Sequence, residues 1–469
     1  MIPVDLYPHQ KKMNDECREL MLRGVRHVLM QGATGIGKSR MAAAQIQAAQ
    51  IKGKRAAFVV PRRELVHQMS VQFSKFEIEH SFICAGYGFN PYGTVHICTA
   101  GSLLNRMDLI KPDVVFFDEV HISGEVLNRI IRYYQAQGAY TVGLSATPWK
   151  SSGKGLGCWF NEMVSGPQIR WLIESKFLSE YRLFAPHTPD LSGIKTVAGE
   201  FSKGALNDKM EHDRVLIGNA VEHYRKHAMG RINLTFCVSR KHAQITNQAF
   251  LDAGIPSAYV DGETPDDERR KAFRALGMRQ ILNICSVELI STGFDLSAAA
   301  DMDVTVESLS GLRPTQSLAL NSQINGRALR KKDFPAFLFD HSGNCMRHGL
   351  PDAEREWTLA DQSKSSRDKS EKIVAVRQCP KCDYCHAPSP VCPNCNHVYE
   401  IQSREIDEID GELKEITEVQ LKMDKKKRRA ACKTIEELVK FAEGEGYLHP
   451  RQWAARWWTT REYYKRGKQ

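Results

Sequence analysis

The sequence predicts an α/β protein of two tandem parallel-sheet domains, followed by a small cysteine module and a basic helical C-terminal extension. Three observations predict it. Short, nearly continuous apolar runs alternate with helical patterns from about residue 24 to 147, and the alternation resumes from about residue 232 to 340. Such runs, separated by helices, indicate parallel strands covered on both faces. Two C-x-x-C pairs then lie close together, and cations gather near the end of the chain. At 469 residues the chain is too long for one core. The expected divisions are 1–180 and 181–348 for the two sheet domains, 349–375 for a linker, 376–400 for the cysteine module and 401–469 for the extension.

The first strand is expected at Arg26-His27-Val28-Leu29-Met30, and an alanine-rich helix at Met41 to Ala49. Between them stands Gly32-Ala33-Thr34-Gly35-Ile36-Gly37-Lys38-Ser39, which fits G-x-x-x-x-G-K-[ST] at every fixed position. Strand, glycine-rich loop and helix together aim backbone N–H groups and a helix N-terminus at phosphates. Gly32, Thr34, Gly35 and Gly37 shape this cradle; Lys38 is expected to reach the β- and γ-phosphates of ATP, and Ser39 to ligate Mg²⁺. Further strands are expected at Ala56 to Val60, Val95 to Cys98, Val114 to Phe117 and Thr141 to Leu144. A Gly/Ser-rich loop from Ser151 to Gly157 and a helical connector lead to strands at Ile232 to Val238, Ser257 to Val260, Gln280 to Cys285 and Phe337 to Asp340.

Asp118-Glu119-Val120-His121 directly follows the run Val114 to Phe117. Carboxylates at the C-terminal end of a parallel strand lie where α/β sheets bind ligands. Asp118 is placed to hold Mg²⁺, and Glu119 to orient and deprotonate the attacking water. Gln323-Ile324-Asn325-Gly326-Arg327-Ala328-Leu329-Arg330 carries two guanidiniums three residues apart, hence on one helical face. Fixed positive charge is what a transferring γ-phosphoryl group requires, and Arg327 and Arg330 are expected to supply it across an interdomain cleft.

With these motifs in this order, residues 5–345 resemble superfamily 2 helicases of the DEAD/DEAH type, with DEVH as the variant box. The resemblance implies two RecA-like domains with ATP between them, acting as a motor on nucleic acid. It implies that Gln10, in Leu6-Tyr7-Pro8-His9-Gln10, reads adenine. It implies strand contacts by Pro61 and Arg62, by Thr99, and by Ser239 and Arg240. Ser145-Ala146-Thr147 resembles the motif coupling hydrolysis to domain movement, and His121 of the box is expected to share that coupling role. Ser291-Thr292-Gly293-Phe294-Asp295 resembles the segment touching both nucleotide and strand, through Thr292, Gly293 and Asp295. The stretch Gly311-Leu312-Arg313-Pro314-Thr315 and the DEVH box resemble the DNA-directed branch of XPB-like helicases, restriction-enzyme motors and phage helicases.

Cys379-Pro380-Lys381-Cys382 and Cys392-Pro393-Asn394-Cys395 form two knuckles nine residues apart, the spacing of a tetrahedral structural Zn²⁺ site. Cys385 and His386 stand between them, either to replace a ligand or to remain unbound. The remaining cysteines are scattered, as suits a reducing compartment.

The formal charge is +10, and residues 421–469 hold 14 Lys/Arg against 6 Asp/Glu, leaving +2 for the rest. Lys425-Lys426-Lys427-Arg428-Arg429 is followed by Trp453, Trp457, Trp458, Tyr463 and Tyr464 interleaved with arginine and lysine. Cations for phosphates and rings for bases suit single-strand binding; the alternative is that the tryptophans form a small core packing on the body formed by the two sheet domains. Helices are expected at Ile406 to Met423 and Ile435 to Ala442. The start of the chain lacks the regions of a signal peptide and no run is long enough to span a membrane, so a cytoplasmic protein is expected, in the bacterial host if phage-encoded.

The reading is an ATP-dependent helicase or translocase on single-stranded, forked or branched DNA, in phage or bacterial replication, recombination or repair. Replication or recombination proteins are expected partners for the extension. The competing readings are an RNA helicase, or an ATP-switched clamp or loader that does not unwind.

Overall fold

Parallel pairing of buried strands builds each of the two large sheets. The computed structural model describes residues 2–122, 124–185, 189, 191–197, 200–211, 213–287, 296–362, 376–399 and most of 425–466. It divides into Met1–Glu400 and Ile401–Gln469. In the first sheet the strands are β1 (His27–Gln31), β2 (Ala56–Val60), β3 (Ser81–Ile83), β4 (Val95–Thr99), β5 (Val114–Phe117), β6 (Tyr140–Ser145) and β7 (Glu162–Ser165). Their spatial order is β3-β4-β2-β5-β6-β1-β7, parallel throughout.

The alternation of Cβ directions explains why these strands read as apolar runs. Val28, Met30, Phe58, Phe116 and Val142 share one core with the helices Pro8–Leu22, Lys38–Ile51 and Arg63–Lys75. Leu29, Val59, Cys98, Val115 and Phe117 share the other with the helix Glu125–Ala136. Both faces are therefore covered.

The second sheet contains β8 (Tyr181–Phe184), β11 (Asn233–Phe236), β12 (Ser257–Val260), β13 (Asn283–Ser286), β14 (Ser308–Gly311) and β15 (Ala336–Asp340). Its order is β12-β13-β11-β14-β15-β8, again all parallel. A small hairpin, β9 (Thr196–Val197) with β10 (Glu200–Phe201), interrupts the path from β8 to β11. In the two large sheets, four strands lie where the sequence shows no apolar run: β3, β7, β8 and β14. The reason is clearest at β14, whose buried serines belong to a satisfied polar ladder. Ser308 Oγ donates to Asn233 Oδ1 at 2.8 Å, and Asn233 Nδ2 donates to Asn283 Oδ1 at 2.9 Å and to Ser310 Oγ at 3.2 Å. Satisfied in this way, polar side chains sit in a core without the cost of lost hydration.

The cysteine module borders β8. Its strands β16 (Arg377–Gln378) and β17 (Cys385–His386) pair antiparallel. The Ala185 N–H donates to Asp383 O at 3.0 Å, and the Phe184 and Tyr384 rings meet edge-on at 5.5 Å. Cys385 is buried in the core of the second domain.

Residues 349–362, expected as the first half of a linker, instead leave the second domain, where Leu350 is in the core, and pack along the first. Gln168 Nε2 donates to Arg355 O at 2.8 Å, and Trp149 Nε1 donates to Ala360 O at 3.0 Å. Elsewhere Glu64 of the first domain pairs with Arg269 of the second at 3.6 Å.

The C-terminal unit has its own small core. Helices Ile435–Gly444 and Pro450–Arg466 enclose Leu438 and Ala454, with Trp453, Trp457 and Trp458 half-buried around them. Glu445 pairs with Lys425 at 2.9 Å and Arg428 at 3.2 Å, and Arg429 stacks over Trp457 at 5.3 Å. The tryptophans thus pack against a small core within the extension itself. The helix expected at 406–423 and the side chains of Tyr463 and Tyr464 lie outside the described residues. Among the described residues no helix is long and apolar enough to cross a membrane.

Gly143, in the middle of β6, has no room for a side chain: an added Cβ would meet Phe160 Cζ and lie 2.9 Å from Leu29 Cδ1. Gly143→Ala is expected to cost about 1–3 kcal/mol of stability by overpacking. Denaturant unfolding checks this, with Gly101→Ala, which meets nothing within 4 Å, as the unaffected control.

Candidate nucleotide and nucleic-acid site

Strands β5, β6 and β1 are neighbours, so their C-terminal ends deliver three motifs to one edge of the first sheet. The phosphate loop after β1 is tied to the end of β6: the Gly32 N–H donates to Ser145 O at 3.0 Å, and Gln31 Nε2 to Ala146 O at 2.9 Å. Gly35 and Gly37 adopt φ of 88° and 91°, the left-handed conformation that glycine takes without steric cost. Gly37 caps the helix Lys38–Ile51 and turns its first N–H groups toward the loop. A Cβ at Gly37 would meet the Gln10 side-chain nitrogen.

Lys38 Nζ, buried inside the loop, donates to Gly32 O at 3.0 Å and Ala33 O at 3.4 Å. Thr34 Oγ1 is buried with no hydrogen-bond partner among the described residues. Inward amides, a central ammonium and an unpaired hydroxyl fit a polyphosphate. Gln10 closes one side of the loop. Its Nε2 donates to Ile36 O at 2.7 Å while its Oε1 accepts the Tyr7 N–H at 3.0 Å, so one amide joins the helix cap to the phosphate loop.

Asp118 and Glu119 follow β5. Both are nearly buried, and burial, then the Glu119 charge, pushes the Asp118 carboxyl up to about 7 against the opposing pull of Lys38. A divalent cation beside Asp118 would reverse that balance by favouring the ionised form. Glu119 sits at φ 47°, unusual for a residue with a side chain. Its N–H donates to Asp118 Oδ1 at 3.0 Å, and its Oε2 lies 3.3 Å from His121 Nδ1. Burial lowers the His121 pKa, which keeps the ring neutral at pH 7. His121 Nδ1 also meets Ser145 Oγ at 2.9 Å, and Ser145 Oγ donates to Thr147 O at 2.6 Å. The box after β5 and the motif after β6 therefore form one hydrogen-bonded group.

The helix Leu318–Ala328 of the second domain completes the cleft. Gln323 Nε2 is 3.5 Å from His121 Nε2, and a Cβ on Gly326 would come 2.6 Å from Thr34 Cβ and Cγ2. Glycine at 326 is what allows the helix to lie against the phosphate loop. Arg327, on the same helix, is buried, and Arg330 lies just beyond its end, bridged to Leu178. The interdomain segment reaches the loop too, because Leu178 Cδ2 lies 3.2 Å from the Cβ position of Gly35.

The expected strand contacts fall at strand ends on the same sheet edges. Pro61 and Arg62 follow β2, with Arg62 as the cap of the helix Arg63–Lys75, and Thr99 ends β4. Ser239 follows β11 and caps the helix Arg240–Asp252, its Oγ accepting the His242 N–H at 3.0 Å. Arg240 is paired with Asp261 at 3.1 Å and Glu263 at 2.5 Å. Thr292, Gly293 and Asp295 lie outside the described residues.

In the cysteine module, the sulfurs of Cys379, Cys382, Cys392 and Cys395 all lie within 4.8 Å of one another. The Cys379–Cys395 and Cys382–Cys392 separations are 3.6 and 3.8 Å. Zn–S bonds of about 2.3 Å in a tetrahedron require sulfurs about 3.8 Å apart. The two knuckles repeat one geometry: Asp383 N–H to Cys379 O and Asn396 N–H to Cys392 O are both 2.9 Å, and Asp383 and Asn396 both have φ of 56°. Burial raises the Cys379 thiol, but the amides of Lys381 and Cys382, together with hydrogen bonds from Cys395 and Cys392, outweigh it and bring it down to about 6. Cys385 and His386 point elsewhere. Cys385 Sγ is 4.0 Å from Cys345 Sγ, and the His386 nitrogens meet Ala387 O at 2.6 Å and Tyr399 Oη at 2.7 Å.

Residues 3–150 match the family model of the type III restriction enzyme res subunit. A 51.5 kDa protein of Lactococcus phage (isolate 7-9) is 30% identical over 399 residues, covering 84% of this chain and 83% of the phage protein. The chain belongs to the superfamily 2 helicases. IRC3 of Saccharomyces cerevisiae, named as an ATP-dependent helicase, is 24% identical over 348 residues and 69% of this helicase. This helicase spans 49% of that yeast relative's length. The type ISP restriction-modification enzyme LlaBIII, solved bound to DNA, shares the fold with a TM-score of 0.53 at 13% identity, covering 78% of this helicase and 29% of that chain. The helicase is accordingly a nucleic-acid-dependent ATPase with two RecA-like domains.

If turnover requires the cleft as seen here, Gly326→Ala drives a methyl group into Thr34. ATP turnover is expected to fall at least about tenfold through misplacement of the reacting groups, with unfolding unchanged. Unaltered turnover in steady-state assays would show that catalysis does not use this contact.

Proposed function

We propose that the protein is an ATP-driven DNA translocase that separates strands, serving phage or bacterial replication, recombination or repair. The observation that carries this reading is the cleft, where Gln323 meets His121 and Gly326 lies on the phosphate loop. A site made from two domains couples the state of the nucleotide to their separation, and separation moves a strand held by both. DNA rather than RNA is supported by the restriction-motor family and by the DNA-bound state of LlaBIII.

In this mechanism Lys38 and the loop amides hold the β- and γ-phosphates. Ser39 and Asp118 would hold Mg²⁺, which would neutralise phosphate charge when bound. Glu119 orients the attacking water and takes its proton. Gln323, Arg327 and Arg330 bring the second domain's polar and positive groups to the γ-phosphate. His121, Ser145 and Thr147 pass the change from the box to β6. Pro61, Arg62, Thr99, Ser239 and Arg240 face the strand, and Arg240 exchanges its carboxylate partners for phosphate. The four module cysteines hold one structural Zn²⁺; with four thiolates as ligands there is no open position for catalysis.

Steady-state ATP hydrolysis tests the reading, measured alone and with single-stranded, forked or duplex DNA and with RNA. Stimulation by DNA above RNA, abolished in Glu119→Gln, is expected, together with strand displacement. Greater stimulation by RNA would overturn the DNA assignment, and turnover without displacement would overturn unwinding. For the metal, elemental analysis is expected to find one zinc per chain, lost in Cys392→Ser and kept in Cys385→Ser.

A further inference from the structure

The segment 349–362 has no part in the cleft, yet it is fastened to the back of the coupling motif. From Ser145 a path leads outward: Ser145 Oγ donates to Thr147 O, Thr147 Oγ1 donates to Trp149 O at 3.2 Å, and Trp149 Nε1 donates to Ala360 O at 3.0 Å. The Trp149 and Trp357 rings pack 5.2 Å apart. Three more hydrogen bonds set the register of the segment. The Gly157 N–H donates to Leu359 O at 3.0 Å, the Gly155 N–H to Asp361 Oδ1 at 2.8 Å, and the Gln362 N–H to Gly153 O at 3.0 Å.

The other end is fixed in the second domain. His348 Nε2 lies 2.9 Å from Thr315 O, and the Gly349 N–H donates to Cys345 O at 2.8 Å. Leu350 is still in the second domain's core; Asp352 then bridges the two domains, accepting from Tyr181 Oη of β8 and pairing with Arg170 at 3.3 Å, and by Arg355 the chain is on the first domain. A displacement of the second domain would therefore pull on Trp149 by a route that bypasses the nucleotide.

We propose that residues 349–362 are a coupling strap, and that Trp149, gripped by Trp357 and the Ala360 carbonyl, is a positioning residue that holds the Ser145–Thr147 motif in register with the second domain. The inference rests on the helicase reading of that motif. Gly155 supplies a selective probe. Its φ of −68° suits any residue, but an added Cβ would meet the Leu359 carbonyl and lie 2.6 Å from Ala360 C and O. Gly155→Ala thus lifts the strap without straining its own backbone.

The test compares Gly155→Ala, Trp357→Ala and Trp357→Phe in the full chain. In the first two, nucleic-acid-stimulated kcat is expected to fall about tenfold, with basal turnover and KM for ATP within about twofold. Trp357→Phe is expected to restore most of the loss. Equal falls in basal and stimulated turnover, or no fall in either variant, would overturn the strap. Hydrogen exchange at the Gly155, Gly157 and Gln362 amides reads it without nucleic acid. Altered protection on adding ATP, absent in Lys38→Ala, supports the strap, and unchanged protection overturns it. Failure of every nucleic acid to stimulate the unaltered protein would instead sink the helicase reading, leaving the exchange result to judge the strap.

Discussion

The close approach of Gly326 to Thr34 is the constraint on which the cleft depends. A helix from one sheet can rest on the phosphate loop of the other only where a side chain is missing, and the helix offers that gap at one position. Once the helix is seated, Gln323 falls beside His121 three residues earlier, and Arg327 is buried one residue later. Helical spacing does the rest, since residues three and four apart share a face. The motifs of the two domains are thus brought together by one permitted contact.

The first domain meets this helix with a group that is electrostatically uneasy. Asp118 and Glu119 are nearly buried side by side, with Lys38 the charge that opposes their crowding at Asp118, and Glu119 occupies a backbone region that side chains avoid. Strain of this kind persists only where the surrounding structure over-determines it. Here the neighbours are three adjacent strand ends, locked by the pairing of β5, β6 and β1. The sheet is stiff so that the carboxylates can be crowded.

Much of this was legible in the sequence because the relevant signals are side-chain signals. The phosphate loop, the box after β5, the glutamine helix and the two knuckles each announce themselves by residue type and spacing. What escaped notice is held by main chain or by local context. The polar strand β14 looks like a loop until Asn233 and Asn283 are beside it. The packing of 349–362 relies largely on carbonyl and amide groups, which every sequence possesses; its trace is Gly155, indistinguishable from a loop glycine. Spacing could not separate Cys385 from the four clustered cysteines, because what distinguishes it is the core around Cys345.

The knuckle module does something for the molecule that has no bearing on turnover. Strand β8 ends the second sheet, and an open sheet edge is a template on which another chain can add. Asp383 and Tyr384 occupy that position, and Cys385 plugs the module into the core beside it. A chain that failed to close its knuckles would keep both nucleotide motifs intact while baring a sticky border. Its first symptom would be turbidity, as the bared edge recruits further copies of the chain.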